Sequence, residues 1–203
     1  MRHIKVLGIT GGVGAGKSTI LQYLEEHYHA EVLQLDAAAH VLMEPHGECY
    51  APVIDAFGRD ILAADGTIDR GKLYRKAFDG GQVAKLNSIV HPRVKEYVKN
   101  WIAGRRAQGR APFLVLEAAL LLEERYDLIC DEIWFIFVND EVRAQRLAAS
   151  RGYTAEKTAQ ILKNQKSEEQ FRVACQFTVD NSSNLLEDTY KQIDKGLKEH
   201  EFV

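Results

Sequence analysis

Gly11-Gly12-Val13-Gly14-Ala15-Gly16-Lys17-Ser18, followed by Thr19, is the stretch on which the fold turns. It fits the phosphate-loop pattern G-x-x-x-x-G-K-S/T without a mismatch, and it stands where the mechanism needs it, between a strand and a helix. The apolar run Ile4–Ile9 before it predicts the strand, and Ser18–His27 after it predicts the helix. Glycine tolerates positive φ, so the loop backbone from Gly11 through Gly12, Val13, Gly14, Ala15 and Gly16 can turn its N–H groups around a β-phosphate. The helix N-terminus adds partial positive charge. Lys17 reaches the β- and γ-phosphates, Ser18 offers a hydroxyl to Mg2+, and Thr19 is placed to hydrogen-bond the α-phosphate. The stretch predicts binding of ATP with Mg2+.

Beyond the loop, strand-like and helix-like segments alternate, which predicts a parallel sheet covered by helices. A second strand is expected over Glu31–Leu35, then a short helix over Ala37–Met43 that stops near Glu44-Pro45. Phe113–Glu117 and Glu132–Val138 are continuous apolar runs, as central strands buried on both faces are. Asp140–Arg151 and Ala155–Lys166 predict helices, Phe177–Val179 a last strand, and Leu185–Glu199 a closing helix. Between Cys49 and Arg110 the apolar positions take a helical period instead, as in Val94, Tyr97, Val98, Trp101 and Ile102. The expected architecture is an α/β P-loop NTPase with about five parallel strands flanked by helices. Its core comprises residues 1–48, 111–139 and 174–203, with a helical substrate-binding insertion over 49–110 and a lid region over 140–173.

The 203 residues suit one α/β domain with a modest insertion. With 46% hydrophobic and 27% charged residues the chain reads as globular. A formal net charge of −3 argues against broad nucleic-acid binding. Cys49, Cys130 and Cys175 are odd in number and form no C-x-x-C, which disfavours a disulfide framework or a zinc site. No apolar run approaches the ~20 residues that span a membrane, and no secretory signal precedes the first strand. A cytoplasmic protein, without nucleic-acid or membrane partners and working as a monomer or small homo-oligomer, is expected.

A phosphate loop alone does not decide the fate of the γ-phosphate. GTPases read guanine with N-K-x-D, and this sequence has none; Asp55-Ala-Phe-Gly58 matches D-x-x-G only within a helical stretch. A small-molecule kinase needs a carboxylate to take the acceptor's proton, in line with the γ-phosphate. Asp36, at the end of the second strand, is the expected general base; its other reading is an N-cap for the helix that follows. Glu117 ends the third strand, where a carboxylate could hold Mg2+ through water, or could simply end the strand. Arg143, Arg146 and Arg151, with Lys157, Lys163 and Lys166 beyond, suit a phosphate-sensing lid, and Arg143 and Arg146 share a helix face. Asp36, Lys17 and Arg146 form the expected catalytic set. His91-Pro92-Arg93 is read as a helix start with Pro92 at its first position, and His91 and Arg93 as contacts for an anionic substrate.

Taken in order, these residues resemble the dephospho-coenzyme A kinase family. The resemblance rests on GITGGVGAGKST, on Asp36-Ala-Ala-Ala-His40 with Glu44-Pro45, and on Leu86-Asn87 through His91-Pro92. It continues in Glu117-Ala-Ala-Leu120-Leu121-Leu122-Glu123, in Gln160–Gln165 and in Val179-Asp180-Asn181. It implies transfer of the ATP γ-phosphate to the ribose 3′-hydroxyl of dephospho-coenzyme A, the last step of coenzyme A synthesis. The family's catalytic aspartate falls on Asp36, and His40, His91, Arg93 and Leu120 fall among the substrate contacts. The sequence departs from the family at Gln34, where an acid is usual, at Ala119, at Glu117 and at Gln176, and its lid is one residue longer between Arg146 and Arg151. Another small-molecule P-loop kinase and a catalytically silent nucleotide- or coenzyme A-binding relative are the alternatives.

Overall fold

Burial on both faces explains why the strand runs lack alternation. In the computed structural model β1 (Val6–Thr10) is buried at all five positions, and β3 (Leu114–Glu117) and β4 (Glu132–Phe137) are buried except at their ends. Together with β2 (Glu31–Gln34) and β5 (Phe177–Asp180) they form one sheet in the order β2-β3-β1-β4-β5. β1 pairs in parallel with β3 and with β4, and β4 pairs in parallel with β5. Because β3 and β4 flank β1 on opposite sides, the chain leaving β1 emerges where the strand order reverses, the crevice in which open α/β sheets bind ligands. The structure describes residues 3–154, 156–158 and 166–203.

The chain divides into two units, Met1–Leu33 with Gln108–Val203, and Gln34–Ala107. In the first, α1 (Lys17–Tyr28) and the closing helix α8 (Leu186–Glu199) bury Ile20, Leu24, Ile193 and Leu197 against Leu7, Ile9, Trp134 and Ile136 of the sheet. Phe135, next along β4, points to the other face and stacks on Phe171 of α7 (Glu168–Ala174), ring centroids 4.6 Å apart and 8° from parallel. α6 (Asp140–Arg151) starts at Asn139, whose side chain accepts the Val142 N–H, and ends at Gly152 with φ 64°. The helix expected over Ala155–Lys166 lies mostly on residues 155 and 159–165, outside the described residues.

The second unit is helical: α2 (Leu35–Met43), α3 (Tyr50–Phe57), α4 (Arg70–Tyr74) and α5 (Val83–Gln108), the last running one residue past the unit. Val53, Phe57, Ile61, Leu73, Ala77, Val94 and Val98 are buried. A lone antiparallel bridge, Leu62 to Ile68, closes the Asp65-Gly66 turn. Glu44 is extended, φ −67° and ψ 159°, as the residue before Pro45 must be, and α2 ends there.

Two local readings are corrected. Asp36 is not the cap of α2: the N-cap is Gln34, without a side-chain cap bond, and Asp36 lies inside the first turn. Leu35 is buried as the first helical residue, so the strand passes into the helix with no loop between. Pro92 does not open a helix; it sits inside the 26-residue α5. Burial of Val90, Val94, Val98 and Ile102 along one face holds the helix through the proline. Near the disturbed turn the Arg93 guanidinium Nη1 donates to the Ile89 carbonyl at 2.8 Å.

Candidate active site

The phosphate loop is shaped by three glycines for both conformational and steric reasons. Gly11, Gly14 and Gly16 have φ of 151°, 82° and 83°. A Cβ would stand 2.6 Å from the Ile136 carbonyl at Gly11, 2.9 Å from Leu147 Cγ at Gly14, and 2.4 Å from Asn181 Nδ2 at Gly16. Between them the loop closes on itself through the Ala15 N–H, which donates to the Gly12 carbonyl at 3.2 Å. Gly16 is the N-cap of α1, so Lys17, Ser18 and Thr19 occupy its first turn, and Ser18 is exposed.

Lys17 Nζ donates to the Gly11 carbonyl at 2.9 Å and lies 3.4 Å from Glu117 Oε1, each side chain 14% exposed. The register causes the meeting: Glu117, at the end of β3, pairs with Ile9 of β1, two residues before Gly11. The structure thus brings the expected loop lysine and the expected strand-end carboxylate together in a half-dry place, where charge counts for more than in water.

α6 contributes two arginines to the same loop. Arg143 is 9% exposed, its Nη2 donates to the Val138 carbonyl at 3.0 Å, and burial pushes its pKa down, offset by Asp140 and Glu168. Its Cγ would be 3.2 Å from a Cβ on Gly14. Arg146 Nη1 would be 3.6 Å from a Cβ on Gly16, and its Nη2 donates to the Ser183 carbonyl at 3.4 Å. Arg143 Nε and Arg146 Nη1 are buried with no hydrogen-bond partner. Buried donors without partners are rare, and two of them against one phosphate loop suit an anion.

The rest of the expected basic group is placed elsewhere. The Arg151 guanidinium is near the Tyr153 ring, at 6.0 Å, with Lys157 Nζ over the same ring at 4.1 Å. Lys166 pairs with Glu123 at 3.8 Å. Lys163 and the stretch Gln160–Gln165 lie outside the described residues. Leu120, in the turn after β3, is 52% exposed. Asp36, His40, His91 and Arg93 belong to the second unit; Asp36 is exposed, and the other three are partly buried. Arg93 also acts on Cys49, whose thiol is pushed up by burial and eased back by the guanidinium.

Sequence reasoning assigned no role to Asn181. It is 2% exposed, directly follows β5, donates from Nδ2 to the Ala15 carbonyl at 2.7 Å and accepts from Thr189 Oγ1 at 2.8 Å. The available signal was its position, a polar residue just past the C-terminal end of a parallel strand.

The family model for dephospho-CoA kinase matches residues 5–187. The dephospho-CoA kinase of Corynebacterium diphtheriae is 35% identical over 182 residues, covering 89% of this chain and 90% of that protein. That of Carboxydothermus hydrogenoformans is 34% identical over 195 residues, covering 95% and 93%. Among solved structures, TT1252 from Thermus thermophilus superposes with a TM-score of 0.78 at 27% identity, covering 98% of each chain.

Proposed function

This chain belongs to the dephospho-CoA kinase family, and we propose that its own residues carry the family's reaction as follows. The reaction is ATP-dependent phosphorylation of the 3′-hydroxyl of dephospho-coenzyme A, giving coenzyme A and ADP. The O3′–phosphorus bond forms, the bond from phosphorus to the β,γ-bridging oxygen breaks, and the hydroxyl proton passes to Asp36. Support for Asp36 lies in the chain itself: it is two residues past the end of β2, at the C-terminal end of a parallel strand, in the first turn of a helix. Gln34 leaves it without the neighbouring acid usual in the family. Lys17 stabilises charge on the transferring phosphoryl oxygens, and Arg146, beside Gly16, stabilises charge on the departing diphosphate. His40, His91, Arg93 and Leu120 contact the acceptor.

Mg2+ fits the donors present. Such an ion keeps several waters and needs only one or two protein oxygens beside the phosphates. The Ser18 hydroxyl and the Glu117 carboxylate supply that much, and the described residues contain no cluster of three metal-ligating side chains that would suit a different ion. Bound there, Mg2+ neutralises charge on the β- and γ-oxygens. Cys49, Cys130 and Cys175 are free, which suits a reducing cytoplasm, and no described helix is long and apolar enough to cross a membrane. The working form is a monomer or small homo-oligomer.

The observation that carries this reading is the convergence of Lys17, Glu117 and the two unpartnered guanidinium nitrogens on one glycine loop. It is tested by ADP release from ATP and Mg2+, with and without dephospho-coenzyme A and beside a panel of nucleosides. Stimulation by dephospho-coenzyme A alone is expected, and Asp36→Asn should keep ATP binding while turnover falls ~10²–10⁴-fold. ATP binding with no acceptor able to stimulate release would mark a silent binding protein and point to Gln34.

A further inference from the structure

A cavity of about 290 Å³ opens beside the phosphate loop on the sheet face away from α1. Gly12 forms one wall, Phe135, Phe137 and Phe171 an aromatic side, and Asp140 and Arg143 part of a polar side. All of these residues belong to the first unit. Its size is near the lower end for small-molecule pockets, and the three rings face a polar side formed by Asn139, Asp140, Arg143, Lys166, Ser167 and Glu168. Phe135 and Phe171 are locked against each other, so the aromatic side is rigid. Phe137 ends β4 and is only partly buried, with the Arg172 guanidinium 5.1 Å from its ring centre. Arg143, its Nη1 3.9 Å from Asp140, joins that carboxylate on the polar side. A planar ring with acceptor nitrogens and an amino group would meet an aromatic face, a donor at Arg143 and an acceptor at Asp140.

The loop's polarity says which of the two nucleotides this would be. The Gly16 end of the loop, with Ser18 and Thr19, meets Asn181 and Arg146, and it is where the α-phosphate and the donor's nucleoside leave. The Gly11-Gly12 end is where the tip of Lys17 lies, so it is the γ-phosphate end. An acceptor attacking in line approaches from there. We infer that the Gly12–Phe137–Phe171 cavity receives the adenine base of the acceptor, dephospho-coenzyme A, with Phe137 as a specificity-determining face. This rests on the function proposed above.

The test is Phe137→Ala with Phe137→Trp beside it, read by equilibrium binding of dephospho-coenzyme A and of ATP, and by steady-state kinetics. Loss of one base-stacking face should raise the acceptor's Kd about 5- to 100-fold. The fall in kcat/KM should be carried by the acceptor's KM, while Kd for ATP stays at the wild-type value. Phe137→Trp should restore acceptor binding, and unchanged thermal midpoints would exclude a folding defect. A weakened ATP Kd with an unchanged acceptor Kd would overturn the inference in favour of a donor-base pocket, and no change in either would overturn it outright. Failure of the wild-type chain to turn over dephospho-coenzyme A would instead overturn the function itself.

Discussion

Asn181 holds the phosphate loop from behind: its Nδ2 donates to the Ala15 carbonyl at 2.7 Å across 166 residues of chain. Its Oδ1 is in turn fixed by the Thr189 hydroxyl of α8 at 2.8 Å. Both lone functions of the amide are therefore used, and the loop's curvature is tied to β5 and to the closing helix rather than to glycine alone.

Asn181→Ala would leave the Ala15 carbonyl and the Thr189 hydroxyl buried with one partner fewer. The expected loss is about 1–3 kcal/mol of unfolding free energy. ATP affinity should fall with it, because the loop loses its brace. Urea unfolding together with ATP titration measures both, and an unchanged midpoint would show the amide to be dispensable.

Gly16→Ala meets two obstacles at once, φ of 83° and a Cβ 2.4 Å from Asn181 Nδ2. Gly66 has nearly the same φ, 85°, but no heavy atom within 4 Å of such a Cβ. Gly66→Ala should cost about 1–2 kcal/mol of stability, the strain alone, with ATP binding intact. Gly16→Ala should lose ATP binding by more than that strain, on the order of tenfold or beyond. Equal ATP affinities in the two variants would refute the close-contact argument.

How much of this was legible beforehand follows from the range of each interaction. The order strand, loop, α1 could be read because every cause is local: an apolar run, a fixed glycine pattern, a helix start. α6 was read over its full span because its polar cap region and terminal glycine are written beside it. α7 was missed, since seven residues with one buried anchor, Phe171, carry no period to detect. Pro92 misled because a local rule about helix starts was overridden by the buried face of α5, a tertiary cause. Asn181 was given no role, since its partner is visible only once β5 is placed beside β4. Lys17 and Glu117 were each read singly; their 3.4 Å approach depends on the β1–β3 register.

Alkaline stability should depend on one shared carboxylate. The hydroxyls of Tyr23 and Tyr28 both donate to Asp194 Oδ1 at 2.7 Å. Burial first, and then the hydrogen bond to Asp194, pushes both phenols up, Tyr28 to about 12 from an ordinary 10.0. The folded state therefore favours the neutral phenol. Its contribution is whole below pH 10.0 and is lost as pH climbs through about 12. Urea midpoints taken from neutral pH upward should fall along that limb in the wild type and fall less steeply in Tyr23→Phe/Tyr28→Phe. Parallel limbs would remove these tyrosines from the account.

Pro92→Ala should stabilise the protein. Proline in a helix interior lacks the N–H that would bond the carbonyl four residues back, here Ser88, and its ring crowds that carbonyl. Pro92 is exposed, so alanine gives up little packing. Alanine is the better helix residue by roughly 3 kcal/mol in free helices. Only part of that is expected in a helix held by a buried face, here Val90, Val94, Val98 and Ile102. A gain on the order of 1–2 kcal/mol in urea unfolding is therefore expected. If the gain comes with a higher KM for dephospho-coenzyme A, the proline is kept for the way it sets His91 and Arg93. If it comes with unchanged kinetics, those side chains do not depend on the interruption. A loss of stability would mean that the helix is bent at Pro92 by its packing and that the proline fits the bend.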